Sequence, residues 1–137
     1  MKEMERLLKK IYEVNSNIVL TLINGSPISV NWADENIPAI VEAWYPGQAE
    51  GLAIAEVLFG DYNPGGKLPI TFPKAASDLP AFEDYDITKG KTYMYQRIKA
   101  LYPFGFGLSY TDFEVSKESI AKPVSYTHLT LPTNREV

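Results

Sequence analysis

A chain of 137 residues, 45% of them hydrophobic, is long enough for one domain with its own core and is no small scaffold that needs disulfides to fold. It has no cysteine, which excludes thiolate catalysis, a Cys-ligated zinc and any structural disulfide. Its 13 basic and 17 acidic residues are interleaved and sum to a net charge of −4, so nothing attracts a polyanion and nucleic acid is excluded as a partner. Every apolar run falls far short of the roughly 20 residues of a membrane span. Met1 opens a charged amphipathic segment and not a signal peptide. The expectation is a soluble chain with no membrane partner, its compartment and oligomeric state left open.

Met1 to Val14 sets Met4, Leu7, Leu8, Ile11 and Tyr12 on one face and charged residues elsewhere, the pattern of a helix with one packed stripe. Asn15-Ser16-Asn17 breaks it. Ile18 to Ile23, IVLTLI, has the composition of a strand covered on both faces, and Asn24-Gly25-Ser26-Pro27 stops it. Ile28 to Trp32 reads as extended, and Asp34, Glu35 and Asn36 as a short exposed helical turn. Ala39 to Trp44 is a second buried strand with Tyr45-Pro46-Gly47 as its exit turn. Gln48 to Phe59 is a helix, its apolar Leu52, Ile54, Ala55, Leu58 and Phe59 recurring at spacings of three and four. Gly60 supplies the left-handed cap, and Asp61 to Gly66 cannot continue the helix. Leu68 to Phe72 reads as another short strand with Pro69 at its start or on an edge. Helix, strand, connection, strand, helix, loop, strand is the order of an α/β layered sandwich with a mostly parallel sheet flanked by helices, because parallel neighbours need crossovers that cover the faces.

After Pro73 the texture changes. Lys74 to Thr88 is polar and acidic, Thr92 to Arg97 reads as a strand or an extended arm, and Phe113 to Val115 as a last strand. Leu101 to Tyr110, LYPFGFGLSY, packs four aromatics and two glycines into ten positions, the composition of a tight loop with close backbone approach.

Several motifs stand in one order: Asn24-Gly25-Ser26-Pro27, Trp32, Ala43 to Gln48, Ala53 to Asp61, Asn63 to Pro69, Thr71-Phe72-Pro73 and Tyr102 to Thr111. In that order the chain resembles the C-terminal α/β domain of family 3 glycoside hydrolases, from about Leu7 to Phe113. Thr92-Tyr93-Met94-Tyr95 is similar to a segment that carries an arginine between two tyrosines in β-xylosidase-like members, with Met94 in the arginine's place. The resemblance implies a retaining exo-glycosidase that hydrolyses terminal β-D-glucosyl or β-D-xylosyl residues. That mechanism needs two carboxyl groups roughly 5 Å apart. The resemblance places the nucleophilic aspartate in an N-terminal barrel and the acid/base carboxylate upstream of Met1. No residue of this chain is therefore assigned a catalytic role, and substrate contacts are left open. Residues 1–115 are expected to form part of the sandwich domain. Residues 116–137, whose SYTHLTLPT string resembles translated sequencing adapter, are expected to be a disordered or artefactual tail. The isolated chain is expected to be inactive and to meet an oligosaccharide or β-glycoside only with a barrel beside it. The alternative is a non-catalytic carbohydrate-binding or interaction module.

The remaining polar residues read plainly. Glu42, Glu50 and Glu56 are expected to be solvated or helix-end charges, Glu50 favourably placed in a first turn, and Asp34 and Glu35 a surface turn. Glu83-Asp84-Tyr85-Asp86 is expected to be a solvent loop. His128 has no partner at a triad or metal spacing, so no metal or cofactor is expected. Pro64-Gly65-Gly66-Lys67 follows a helix and lacks phosphate-loop spacing. Trp32, Trp44, Tyr45, Phe104 and Phe106 suit either sugar stacking or packing between elements, chiefly the latter.

Overall fold

The computed structural model describes residues 2–91, 93–112 and 114. Helix α1 (Lys2–Val14), strand β1 (Val19–Leu22), helix α2 (Asn31–Asn36), strand β2 (Ala39–Glu42) and helix α3 (Glu50–Phe59) follow in that order, with 3₁₀ turns at Gly47–Ala49, Ala76–Asp78 and Ile87–Lys89. The two strands form one parallel pair in which Val19, Leu20, Thr21 and Leu22 lie opposite Ala39, Ile40, Val41 and Glu42. Parallel pairing follows from the connection, which leaves β1 at its carboxyl end and passes through α2 before β2 starts at the opposite end.

Each element ends where its residues require. Gly60 takes φ 84° at the C-cap of α3, the left-handed conformation that costs glycine least. Helix α2 closes with the Ile37 amide donating to the Ala33 carbonyl at 2.8 Å. Helix α1 docks through Tyr12, whose ring meets Trp32 of α2 edge-on at 5.6 Å, while the Lys9 ammonium lies 5.2 Å from the same indole; Met4, Leu7 and Ile11 of the stripe expected to pack are instead exposed. Three exposed ion pairs along α1 (Glu3 with Arg6, Glu5 with Lys9, Glu13 with Lys10) add little stability in water.

The core centres on Phe72, which is 1% exposed, with Ala33 and Ile37 of the α2 region also buried. Trp44 meets the Phe72 ring at 6.0 Å and 64°, and Tyr102 lies on it at 6.0 Å and 59°. The segment expected as a strand from Leu68 to Phe72 is instead a loop held by one antiparallel bridge, Phe72 to Tyr102. Pro69 has no amide hydrogen to give a ladder. Phe72 also exchanges its backbone groups with Leu101 and Tyr102 alone, its amide reaching the Tyr102 carbonyl at 2.8 Å. The arm around Tyr93 to Tyr95 is a turn and not a strand. Asn31 and Trp32, expected as extended, begin helix α2.

Coverage of the elements also departs from the periodic reading. Val19 and Ile23 stay 48% and 50% exposed, because among the described residues β2 is the sole strand beside β1. On α3 the half-buried residues are Glu50 and the consecutive Ile54, Ala55, Glu56 and Val57, while Leu52, Leu58 and Phe59 face outward. Of the last strand expected at Phe113 to Val115, Glu114 is described and is not in a strand; Phe113, Val115, the tail from 116 and His128 lie outside the described residues.

Candidate functional site

In open sheets with parallel strands, ligands and partners gather at the carboxyl ends of the strands. Here that edge is built from the stretch after β1, Asn24-Gly25-Ser26, and the stretch closing β2, Glu42 to Tyr45. The Asn24 amide nitrogen donates to the Ser26 carbonyl at 2.7 Å and reaches a Glu42 carboxylate oxygen at 3.4 Å. The other Glu42 oxygen accepts the Trp44 amide at 3.1 Å. Burial pushes the Glu42 carboxyl above its ordinary value of 4.5; the bonds from Trp44 and Asn24 pull the other way and do not cancel it.

Two further marks single out this edge. Trp44 holds φ 53°, the one left-handed non-glycine among the described residues, a conformation that costs of order 1–3 kcal/mol where side-chain bulk is present. The hydrogen bond to Glu42 and the contact with Phe72 keep it there. The buried oxygen of the Asn24 side chain has no hydrogen-bond partner among the described residues. Gly25 lies directly under the Tyr45 ring, where a Cβ would come within 2.5 Å of Cε2. Tyr45 is 74% exposed.

A second polar link ties the long loops to α2. The Tyr102 hydroxyl donates to Asp34 at 2.6 Å. Burial first, then the Asp34 carboxylate, hold the phenol well above its ordinary value of 10.0. Tyr102 also stacks on Phe106 at 5.1 Å. Asp34 is exposed on a short helical turn, as expected, and also accepts this bond, while Glu42 is a half-buried carboxyl where a solvated one was expected. Neither role has a local signal, since the partners lie 68 and 18 positions away in the chain.

The other carboxylates stay apart from this edge. Glu50 sits in the first turn of α3. Asp84 pairs with Lys89 at 2.9 Å, and Asp86 accepts the Thr88 amide at 3.0 Å, so the acidic loop satisfies itself locally. Hydrogen bonding from Lys89 lowers the Asp84 carboxyl below its ordinary value. Lys67 gives its ammonium to the Gly107 carbonyl, which commits the lysine of the Pro64 to Lys67 loop to the protein's own backbone. Among the described residues no group of three or more His, Cys, Asp and Glu is placed to hold a metal ion. No helix among them is long and apolar enough to cross a membrane. Trp32 and Trp44 pack between elements; Phe106 is exposed and stacks on Tyr102 of its own loop, and Phe104 stacks at the surface on Tyr93, at 4.1 Å and 12°.

The chain is similar to beta-xylosidases and beta-glucosidases. The chain is 48% identical over 119 residues to a xylan 1,4-beta-xylosidase of Xylanibacter ruminicola, covering 87% of this chain and 14% of that protein. It is 38% identical over 129 residues to a periplasmic beta-glucosidase of Salmonella typhimurium, covering 85% of this chain and 17% of that one. The crystal structure of a beta-D-glucoside glucohydrolase from Trichoderma reesei superposes with a TM-score of 0.71 at 28% identity, over 80% of this chain and 17% of that chain. This chain thus spans about a seventh to a sixth of the length of these relatives. The model of the glycosyl hydrolase family 3 C-terminal domain matches residues 1–110, a stretch that takes in every helix and strand described above, and the chain belongs to that family.

Proposed function

We propose that the chain serves a retaining glycosidase that removes terminal β-D-xylosyl or β-D-glucosyl residues, as a non-catalytic wall beside the sugar pocket. The observation that carries this reading is the 48% identity to a xylan 1,4-beta-xylosidase across 87% of the chain. The geometry agrees with a supporting role. Retaining hydrolysis needs two carboxyl groups about 5 Å apart. At the carboxyl edge of β1 and β2 one carboxyl, Glu42, faces an amide and a backbone N–H and no second carboxyl. A raised carboxyl can act as an acid, but one bound to its own turn in this way is better suited to holding Trp44 and Tyr45 in place.

The test is release of nitrophenol from aryl β-xyloside and aryl β-glucoside. The isolated chain should give no turnover above a blank. The whole protein encoded at its locus should hydrolyse at least one of the two substrates. Turnover by the isolated chain would refute the non-catalytic role; inactivity of the whole protein on both would refute the glycosidase reading.

A further inference from the structure

Two shallow surface depressions, open to solvent, share Ile98 in their walls. Neither includes a residue of the carboxyl edge of β1 and β2. One presents the stacked rings of Tyr93 and Phe104, with Thr71 and Gln96 beside them. The other presents Asp78, Lys89 and Arg97.

We propose that this double groove is an accessory saccharide-binding site that takes two consecutive pyranosyl rings of a neutral β-linked oligosaccharide. The sugar class rests on the glycosidase reading above; the groove itself does not. Tyr93 and Phe104 cover one face of each other and still remain 57% and 44% exposed, so aromatic surface is left for a ligand. A stacked pair restrains both rings, which lowers the entropy cost of capturing a ligand. A β-gluco- or xylo-configured ring carries C–H groups on its faces and hydroxyls around its equator. Such a ring needs a flat apolar floor and polar groups at the rim, and Gln96 and Thr71 provide donors and acceptors there.

Charge narrows the occupant further. Lys89 is neutralised by Asp84 at 2.9 Å, which leaves Asp78 and Arg97 as one charge of each sign. A phosphate or an acidic peptide would meet the Asp78 carboxylate, whereas vicinal hydroxyls can donate to Asp78 and accept from the Arg97 fork. The groove is thus matched to a neutral polyol.

The experiment is titration of the intact chain with cellotetraose and xylotetraose, followed by saturation-transfer NMR on the sugar protons and by calorimetry. Saturable binding of at least one tetraose is expected. Tyr93→Ala and Phe104→Ala should each weaken it about tenfold or more, roughly 1.4 kcal/mol. Tyr93→Phe, which keeps the ring, should retain it, as should Tyr85→Ala, which removes an exposed ring outside the groove. Circular dichroism accompanies each variant. Should an alanine variant of the rings unfold, Gln96→Ala takes its place and must weaken binding without changing the melting temperature. No saturable binding by the unaltered chain, or binding that survives Tyr93→Ala and Gln96→Ala in folded protein, overturns the proposal; the second result would put the sugar elsewhere on the chain. Because the readout is binding without turnover, failure here leaves the glycosidase assay untouched, and failure of that assay leaves this titration valid.

Discussion

Glu42 is a carboxyl whose burial raises its proton affinity in the folded state, and the sign of the consequence follows from linkage. The unfolded chain gives the carboxyl its ordinary value of 4.5, and the folded chain a higher one. Between the two the folded state holds more proton. The associated stability is fully present below 4.5 and is lost as pH rises through the folded value. Urea midpoints measured from about pH 4 to pH 8 should therefore fall across that interval, and Glu42→Gln should flatten the fall. An identical pH dependence in the variant would contradict the assignment. Tyr102 gives a second residue-level test. Its phenol is held protonated by burial and by Asp34, so spectrophotometric titration should find one tyrosine resisting ionisation beyond the others. Tyr102→Phe should remove that lag and cost about 1.5–3 kcal/mol, the range for a hydrogen bond to a charged group.

Among the elements, the loop that follows helix α3 is tied to the aromatic loop by the side chain of Asn63. Its amide oxygen accepts from the Ser109 hydroxyl at 2.8 Å and from the Tyr110 amide at 2.9 Å, and its nitrogen donates to Thr111 at 2.9 Å. Tyr110 adds a bond from its hydroxyl to the Val57 carbonyl at 2.6 Å, satisfying an acceptor in the last turn of α3. Beside this knot the chain approaches itself closely: a Cβ on Gly107 would stand 2.5 Å from the Gly66 carbonyl oxygen. Asn63→Ala is expected to free the Ser109 to Thr111 strap while leaving α3 helical. Hydrogen exchange at the Tyr110 amide should accelerate, with a loss of about 1–2 kcal/mol in global stability, since each bond is exposed and contributes modestly. Unchanged exchange at Tyr110 would show that the strap is held by the Tyr110 to Val57 bond instead.

For the whole molecule, Phe72 is the point where the parts meet. It touches Trp44 from the exit of β2 and Tyr102 from the aromatic loop, and it is the most completely buried large side chain among the described residues. Phe72→Ala should cost about 3–5 kcal/mol. A domain with so few buried residues has little stability to spare, so the variant is expected to lose its cooperative thermal transition. A transition shifted by only a few degrees would mean that the core lies elsewhere. Each strand has one neighbour and one free edge among the described residues, and free apolar edges promote association.

Much of this architecture was legible in sequence because it is local. The three-four spacing in Met1 to Val14, the β-branched run after Asn17, Gly60 at the end of α3 and the order of the Asn-Gly-Ser-Pro, Trp-Tyr-Pro-Gly and Leu-Ser-Tyr-Thr motifs each depend on residues a few positions apart. They were sufficient for the α/β class and the family. Only the tertiary structure decided that Phe72 is the core residue, that Asp34 receives Tyr102, that Glu42 is half-buried and that Tyr93 stacks on Phe104. In each case the deciding contact joins residues far apart in the chain, and desolvation and hydrogen-bond geometry depend on what the fold brings near, which periodicity along the sequence does not encode.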